Sequence, residues 1–175
     1  MPRISPALVS APILLALLAL TGCSSGASIS GGKDAGTEGS YCVVVPAQNP
    51  SLTFGDVVSV GEGSPPPQLQ SLELVEPQHL RITGQWASPL VDGESALGGV
   101  QSENELNASE PWKARSDAAG FVAKQGSVNV MVQLEVTDGA QSGSAKALRV
   151  NYSSAGKQHS TDTGTAVELR LGKCD

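Results

Sequence analysis

This chain predicts an all-β fold, an immunoglobulin-like antiparallel β-sandwich of about seven to eight short strands. Three observations carry that expectation. From residue 41 onward apolar side chains recur with period two and not 3.6. Turn-forming residues separate the alternating runs. The 20 Gly and 11 Pro supply those turns without the strict period of a collagen-like chain.

The chain begins with a segment that does not belong to this pattern. Arg3 gives a short positive start, followed by the apolar run Ala11-Pro12-Ile13-Leu14-Leu15-Ala16-Leu17-Leu18-Ala19-Leu20. The run falls short of the roughly 20 residues a membrane-spanning helix needs, so residues 1–22 read as a signal peptide. It closes on Leu20-Thr21-Gly22-Cys23. This tetrad resembles the lipobox of bacterial lipoproteins. The resemblance implies that the Cys23 thiol receives a diacylglyceryl group and that the chain is cut before it. It also implies that the freed amine is acylated, with palmitate or a similar fatty acid. The implied product sits at the cell membrane, on its extracytoplasmic face, with the membrane itself as partner through the N-terminal lipid. Two acyl chains hold a protein there stably, at about 0.8 kcal/mol per buried CH₂, where one chain does not. An ordinary signal peptide followed by a chance cysteine is the competing reading.

Residues 23–40 follow as a lipidated flexible linker. Gly and Ser dominate the run SSGASISGGKDAGTEGS, and Ile29 is its only sizeable apolar side chain. A free chain of that length spans on the order of 20–25 Å. The folded domain is expected over residues 41–175.

With Cys23 assigned to lipid, Cys42 and Cys174 remain. An even pair in an exported chain predicts a disulfide. It would join the first strand to the last residues and require their Cα atoms to lie within about 7 Å. A two-cysteine metal site lacks nearby histidine ligands.

The strands can be placed in order. Cys42 to Val45 and Leu52 to Val60 open the domain, broken by Pro46 and Pro50, and Pro65-Pro66-Pro67 forms a stiff connector. Leu72 and Leu74, then Leu80 and Ile82, alternate with polar residues around Glu76-Pro77-Gln78-His79, which reads as a hairpin turn. The cleanest alternation is Val128, Val130, Val132, Leu134 and Val136; Leu148, Val150 and Tyr152 follow, then Val167, Leu169 and Leu171. These last three runs predict consecutive antiparallel strands, with Ser153 to Gly164 as a polar connection. Between Leu90 and Gln125 lies a polar excursion too long for an ordinary loop. Glu110-Pro111-Trp112-Lys113-Ala114 predicts a helical turn inside it, with Pro in the first turn.

Composition removes some functions. A formal net charge of −6, with 11 Lys+Arg against 17 Asp+Glu, excludes a basic nucleic-acid surface. Loss of residues 1–22 removes Arg3 and takes the charge from −6 to −7, a body repelled by an anionic bilayer. His79 and His159 stand apart in sequence, outside any zinc spacing, and no cofactor or metal is expected. His159-Ser160-Thr161-Asp162 holds the residue types of a hydrolase triad without a GxSxG elbow. Glu94, Glu103, Glu105 and Glu110 lack the spacing of a calcium loop, and Met131 has no His-Met company for copper.

Trp86 and Trp112 remain as candidate binding residues, either as partner contacts or as a stacking platform for a sugar. Core packing is the competing assignment for both, with Trp86 at a strand end. The expectation is a non-enzymatic, lipid-anchored extracytoplasmic binding or accessory protein using the Leu90–Gln125 excursion. A carbohydrate- or peptidoglycan-binding module is the alternative, and a hydrolase using His159 and Asp162 is a third.

Overall fold

The computed structural model describes residues 26–32, 39–90, 99–100, 103–137 and 139–174. The signal peptide and Cys23 lie outside the described residues. No helix among the described residues is long and apolar enough to cross a membrane.

In chain order the described strands are β1 (Ile29–Ser30), β2 (Gly39–Val44), β3 (Ser51–Val60), β4 (Gln68–Val75), β5 (Leu80–Leu90) and β6 (Gly99–Val100). Two short helices follow, α1 (Glu103–Ala108) and α2 (Glu110–Lys113). Then come β7 (Ser116–Asp117), β8 (Gly126–Val136), β9 (Ser142–Ala145), β10 (Ala147–Ser154), β11 (Lys157–Asp162) and β12 (Thr165–Arg170). The larger sheet has the order β1-β3-β8-β5-β7, with β6 on β3. The opposing layer consists of two three-stranded sheets, β11-β10-β4 and β2-β12-β9. Only Lys146 separates β9 from β10, and Thr163-Gly164 separate β11 from β12, so the two small sheets are halves of one bent surface. The Thr163 amide donates to the Leu148 carbonyl at 2.7 Å, which holds the bend.

The period-two alternation builds the interior as expected of a strand with one wet face. Leu52, Phe54, Val58, Val128, Val130, Val132 and Leu134 project from the larger sheet. Leu69, Leu72, Leu148, Val150, Val167 and Leu169 project from the other layer. These side chains are essentially without solvent contact. The all-β sandwich is therefore present, and its strand pairing differs from the sequence expectation in four places.

First, Glu76-Pro77-Gln78-His79 does not turn a hairpin. The strands on either side enter different layers, β4 pairing with β10 and β5 with β8. Second, the three alternating runs of the C-terminal half are strands but not neighbours. β8 lies in the larger sheet, β10 in one small sheet and β12 in the other. Alternation specifies which face is buried and leaves open which strand supplies the ladder partner. Third, besides the two-residue β6 and β7 inside the excursion, two longer strands were not anticipated, β9 and β11. The first is Ser-Gly-Ser-Ala and the second Lys-Gln-His-Ser-Thr-Asp, mostly exposed at a sheet edge. Neither displays an apolar face to be read.

The fourth correction concerns the linker. Residues 26–30 are not a free spacer. Ile29 and Ser30 pair with Val60 and Ser59, and Ala27 and Ile29 are buried. The Tyr152 hydroxyl accepts the Ile29 amide at 3.2 Å, and Ser154 Oγ donates to the Ala27 carbonyl at 2.7 Å. One apolar side chain suffices here because a preformed slot receives it. Gly63 is part of that slot. It has φ +153, and a Cβ there would fall on the Ala27 backbone. Gly63→Ala is accordingly expected to expel residues 26–30 and cost about 1–3 kcal/mol. Loss of hydrogen-exchange protection at the Ile29 amide, with β8 still protected, checks it.

One bulge decides the site described next. β5 pairs Ile82 with Leu134 and Gly84 with Gln133, so Thr83 is an extra residue. Beyond it the strand's faces exchange. Gln85 and Ala87 turn inward, and Gly84, Trp86 and Ser88 turn outward. Gln85 Oε1 then accepts the Leu72 amide at 2.8 Å, tying β5 to β4 across the sandwich.

Candidate functional site

Because of that bulge Trp86 lies on the outer face of the larger sheet, opposite Met131. Its ring folds over Gly84, where a Cβ would collide with the indole. The excursion returns to this face. α2 starts after Ser109, carries Pro in its first turn, and delivers Trp112 onto Met131. The predicted turn at residues 110–114 is thus found as α2, whereas α1 was not read from the sequence. Trp86 and Trp112 meet edge to face, with centroids 5.0 Å apart and planes inclined at 72°. Arg115 covers the pair with its guanidinium carbon 3.7 Å from the Trp112 centroid, and Nη1 donates to the Trp112 carbonyl at 2.7 Å.

Trp112 is only 9% exposed. The two indoles are brought together, as a binding platform would need, but they are not coplanar, and Trp112 is buried while Trp86 is half-buried. They form a second small core with Met131 and half-buried Leu106 that fastens the excursion to the sheet. Trp112 is thus packed against the sheet, while Trp86 keeps part of its indole at the surface.

The histidines do not assemble a catalytic group. His159 pairs with Tyr152 across β10 and β11, and the rings stack at 5.3 Å. Asp162, three residues along the same strand, projects from the other face. There it is held by Arg149 through Nε to Oδ1 at 2.7 Å and Nη2 to Oδ2 at 2.9 Å. The Asp162 hydrogen bond, followed by its charge, raises the Arg149 pKa above the ordinary arginine value. His79 lies at the end of the β4–β5 connection, where its carbonyl accepts the Thr137 amide at 2.9 Å. Among the described residues no group of three or more His, Cys, Asp and Glu is placed to hold a metal ion.

A shallow polar groove of about 460 Å³ runs along β11-β10-β4, lined by Ser71, Glu73, Asn151, Gln158, His159 and Ser160. A deeper cleft of about 540 Å³ lies where β5 ends and β8 begins, between Pro89, Leu90, Phe121, Val122, Lys124 and Val128. The segment after β7 builds its wall. Gly120 and Ala123 donate to the carbonyls of Leu69 and Pro67, and Leu69 donates to Phe121, so residues 120–123 continue the small sheet past β4. Val122 is left 48% exposed. Sequence reasoning missed this cleft. Its one signal is the short apolar run Phe121-Val122-Ala123 after a glycine, submerged in a polar excursion.

Cys42 and Cys174 form a disulfide with Cα atoms 5.9 Å apart. β2 pairs in parallel with β12, Cys42 opposite Glu168, which carries the first cysteine towards the chain's end.

No protein-family model matches the chain, and neither a curated protein nor a solved structure is found that resembles it.

Proposed function

We propose that this chain is a lipid-anchored extracytoplasmic binding or accessory protein, held to the cell membrane by acyl groups on Cys23 and performing no catalysis. The observation that carries the reading is the Cys42–Cys174 disulfide. A bond of this kind belongs to an oxidising compartment. It also engages two of the three cysteines and leaves Cys23 as the third, directly after a signal-like apolar run. Residue 26 enters the sandwich almost immediately afterwards, so little chain separates a lipid from the fold. Binding, rather than chemistry, accords with His159 and Asp162 on opposite faces of β11.

The test is an intact-mass measurement on protein extracted from its native membrane, coupled to detergent phase partitioning. The expected mass is that of residues 23–175 plus acyl groups, in the detergent phase. Cys23→Ser should abolish the added mass and move the protein to the aqueous phase. Wild-type protein that is uncut, or cut but unacylated and fully water-soluble, would overturn the reading.

A further inference from the structure

We propose that the end of the sandwich from which residue 26 emerges is a membrane-docking surface, whose occupant is the bilayer that holds the anchor. The inference rests on the acylation of Cys23 and goes beyond it, because a lipid alone does not orient a domain.

The topology puts three exposed turns at one end. β3 ends and β4 begins around residues 61–67, β10 returns to β11 through Ala155-Gly156, and β8 starts after residues 120–125. Residues 26 and 27 pass between the first two. Ala27 donates to the Pro65 carbonyl at 3.4 Å, and a Cβ on Gly26 would meet Ser154 and Ala155. Extended backbone covers about 3.3–3.6 Å per residue, so the three residues from Cys23 to Gly26 reach about 10 Å. The ten residues of β3 span about 33 Å by the strand rise. Such a leash is too short to let the far end of the sandwich approach the bilayer while the near end swings clear. Its reach is also close to the Debye length of about 8–10 Å, so charges at this end feel the membrane surface.

The composition of the end fits that position. Pro65 and Pro66 are exposed, Val122 is 48% exposed, and the apolar cleft with Phe121 and Leu90 opens beside them. Within the three turns the charged residues are Lys124 and Glu62, which balance, and Lys157 opens β11 beside them, in a chain of net charge −6. Glu62 further accepts from Gln125 Nε2 at 3.2 Å. The opposite end carries the turns at residues 46–50 and 76–79, with Glu76 ion-paired to Lys146, and the disulfide. An acidic body thus turns an apolar end, with little net charge among its described residues, to the lipid.

The experiment uses acylated, isotope-labelled protein purified from membranes, with its intact mass verified. It is inserted into nanodiscs of phosphatidylcholine and phosphatidylglycerol carrying spin-labelled headgroups. Amide line broadening is expected to be strongest at Glu62, Gly63, Ser64, Val122, Lys124, Gly156 and Lys157, and weak at Asn49, Gln78 and Lys173. Val122→Asp, at an exposed position, should reduce that broadening several-fold; Lys124→Glu should do the same without touching the apolar contact. Uniform weak broadening, or broadening centred on the exposed Tyr41 and Val44 of β2, overturns the docking surface while leaving the anchor in place. An extracted protein without acyl mass overturns the anchor, and the docking inference with it.

Discussion

Replacing Cys42 and Cys174 with alanine, or reducing the bond, is expected to cost the fold about 4–5 kcal/mol. The bond joins residues 132 apart. Closing a loop of that length in the unfolded chain removes about 5 kcal/mol of conformational freedom by the chain-entropy relation, and measured losses for natural disulfides reach about 5 kcal/mol. The native-state consequence is localised. Among the described residues β2 has one ladder partner, β12, and its residues are largely exposed; the Tyr41–Phe54 ring contact and the packing of Val43 on the core hold it besides. Reduction should therefore release residues 39–44 before anything else unfolds. Denaturant titration with and without reductant measures the total, and hydrogen exchange at Val43 and Val44 against Val130 locates it. Equal midpoints in both titrations would mean that the bond constrains nothing.

Trp112→Ala is expected to destabilise the domain by about 3 kcal/mol, the lower end of the range for removing a large aromatic from a packed site. The lower end applies because the indole stands at the rim of a small cluster that neighbouring side chains can partly refill. Its loss strands Trp86, Met131 and Arg115 together. The excursion should detach, with amide protection lost at α2 and β7 and Trp86 fluorescence shifted to the red. Urea titration followed by both Trp86 emission and far-UV circular dichroism separates this local release from global unfolding. A variant as stable as the parent would return Trp112 to the role of an exposed contact.

Much of the fold was legible before any coordinates. Val128 to Val136 announces a half-buried strand because every second position is apolar, and Cys42 and Cys174 announce a clamp because an even cysteine pair behind a signal-like apolar run has few other uses. Pairing was less legible. Leu74 and Leu80 flank a Pro-containing turn that suits a hairpin equally well as a crossover between layers, and no local property distinguishes the two. The polar edge strand β11 was invisible, since it buries nothing that period-two reasoning could detect. Ile29 misled for the opposite reason: its surroundings are those of a linker, and the slot formed by Gly63, Tyr152 and Ser154 is assembled from distant parts of the chain. Trp86 shows the limit most sharply. Its parity with Leu80 and Ile82 places it indoors, and one supernumerary residue at Thr83 turns it out. The apolar cleft around Val122 depends on backbone bonds to Leu69 and Pro67, which no run of letters displays.

The side-by-side course of β2 and β12 makes closure of this small sheet a late event in the growth of the chain. Among the described residues β2 takes its ladder partner from a strand made 126 residues later, Gly39 lying opposite Thr165. The thiol of Cys42 likewise waits for residue 174. On the export proposed above, this sheet would close only after that residue has crossed the membrane.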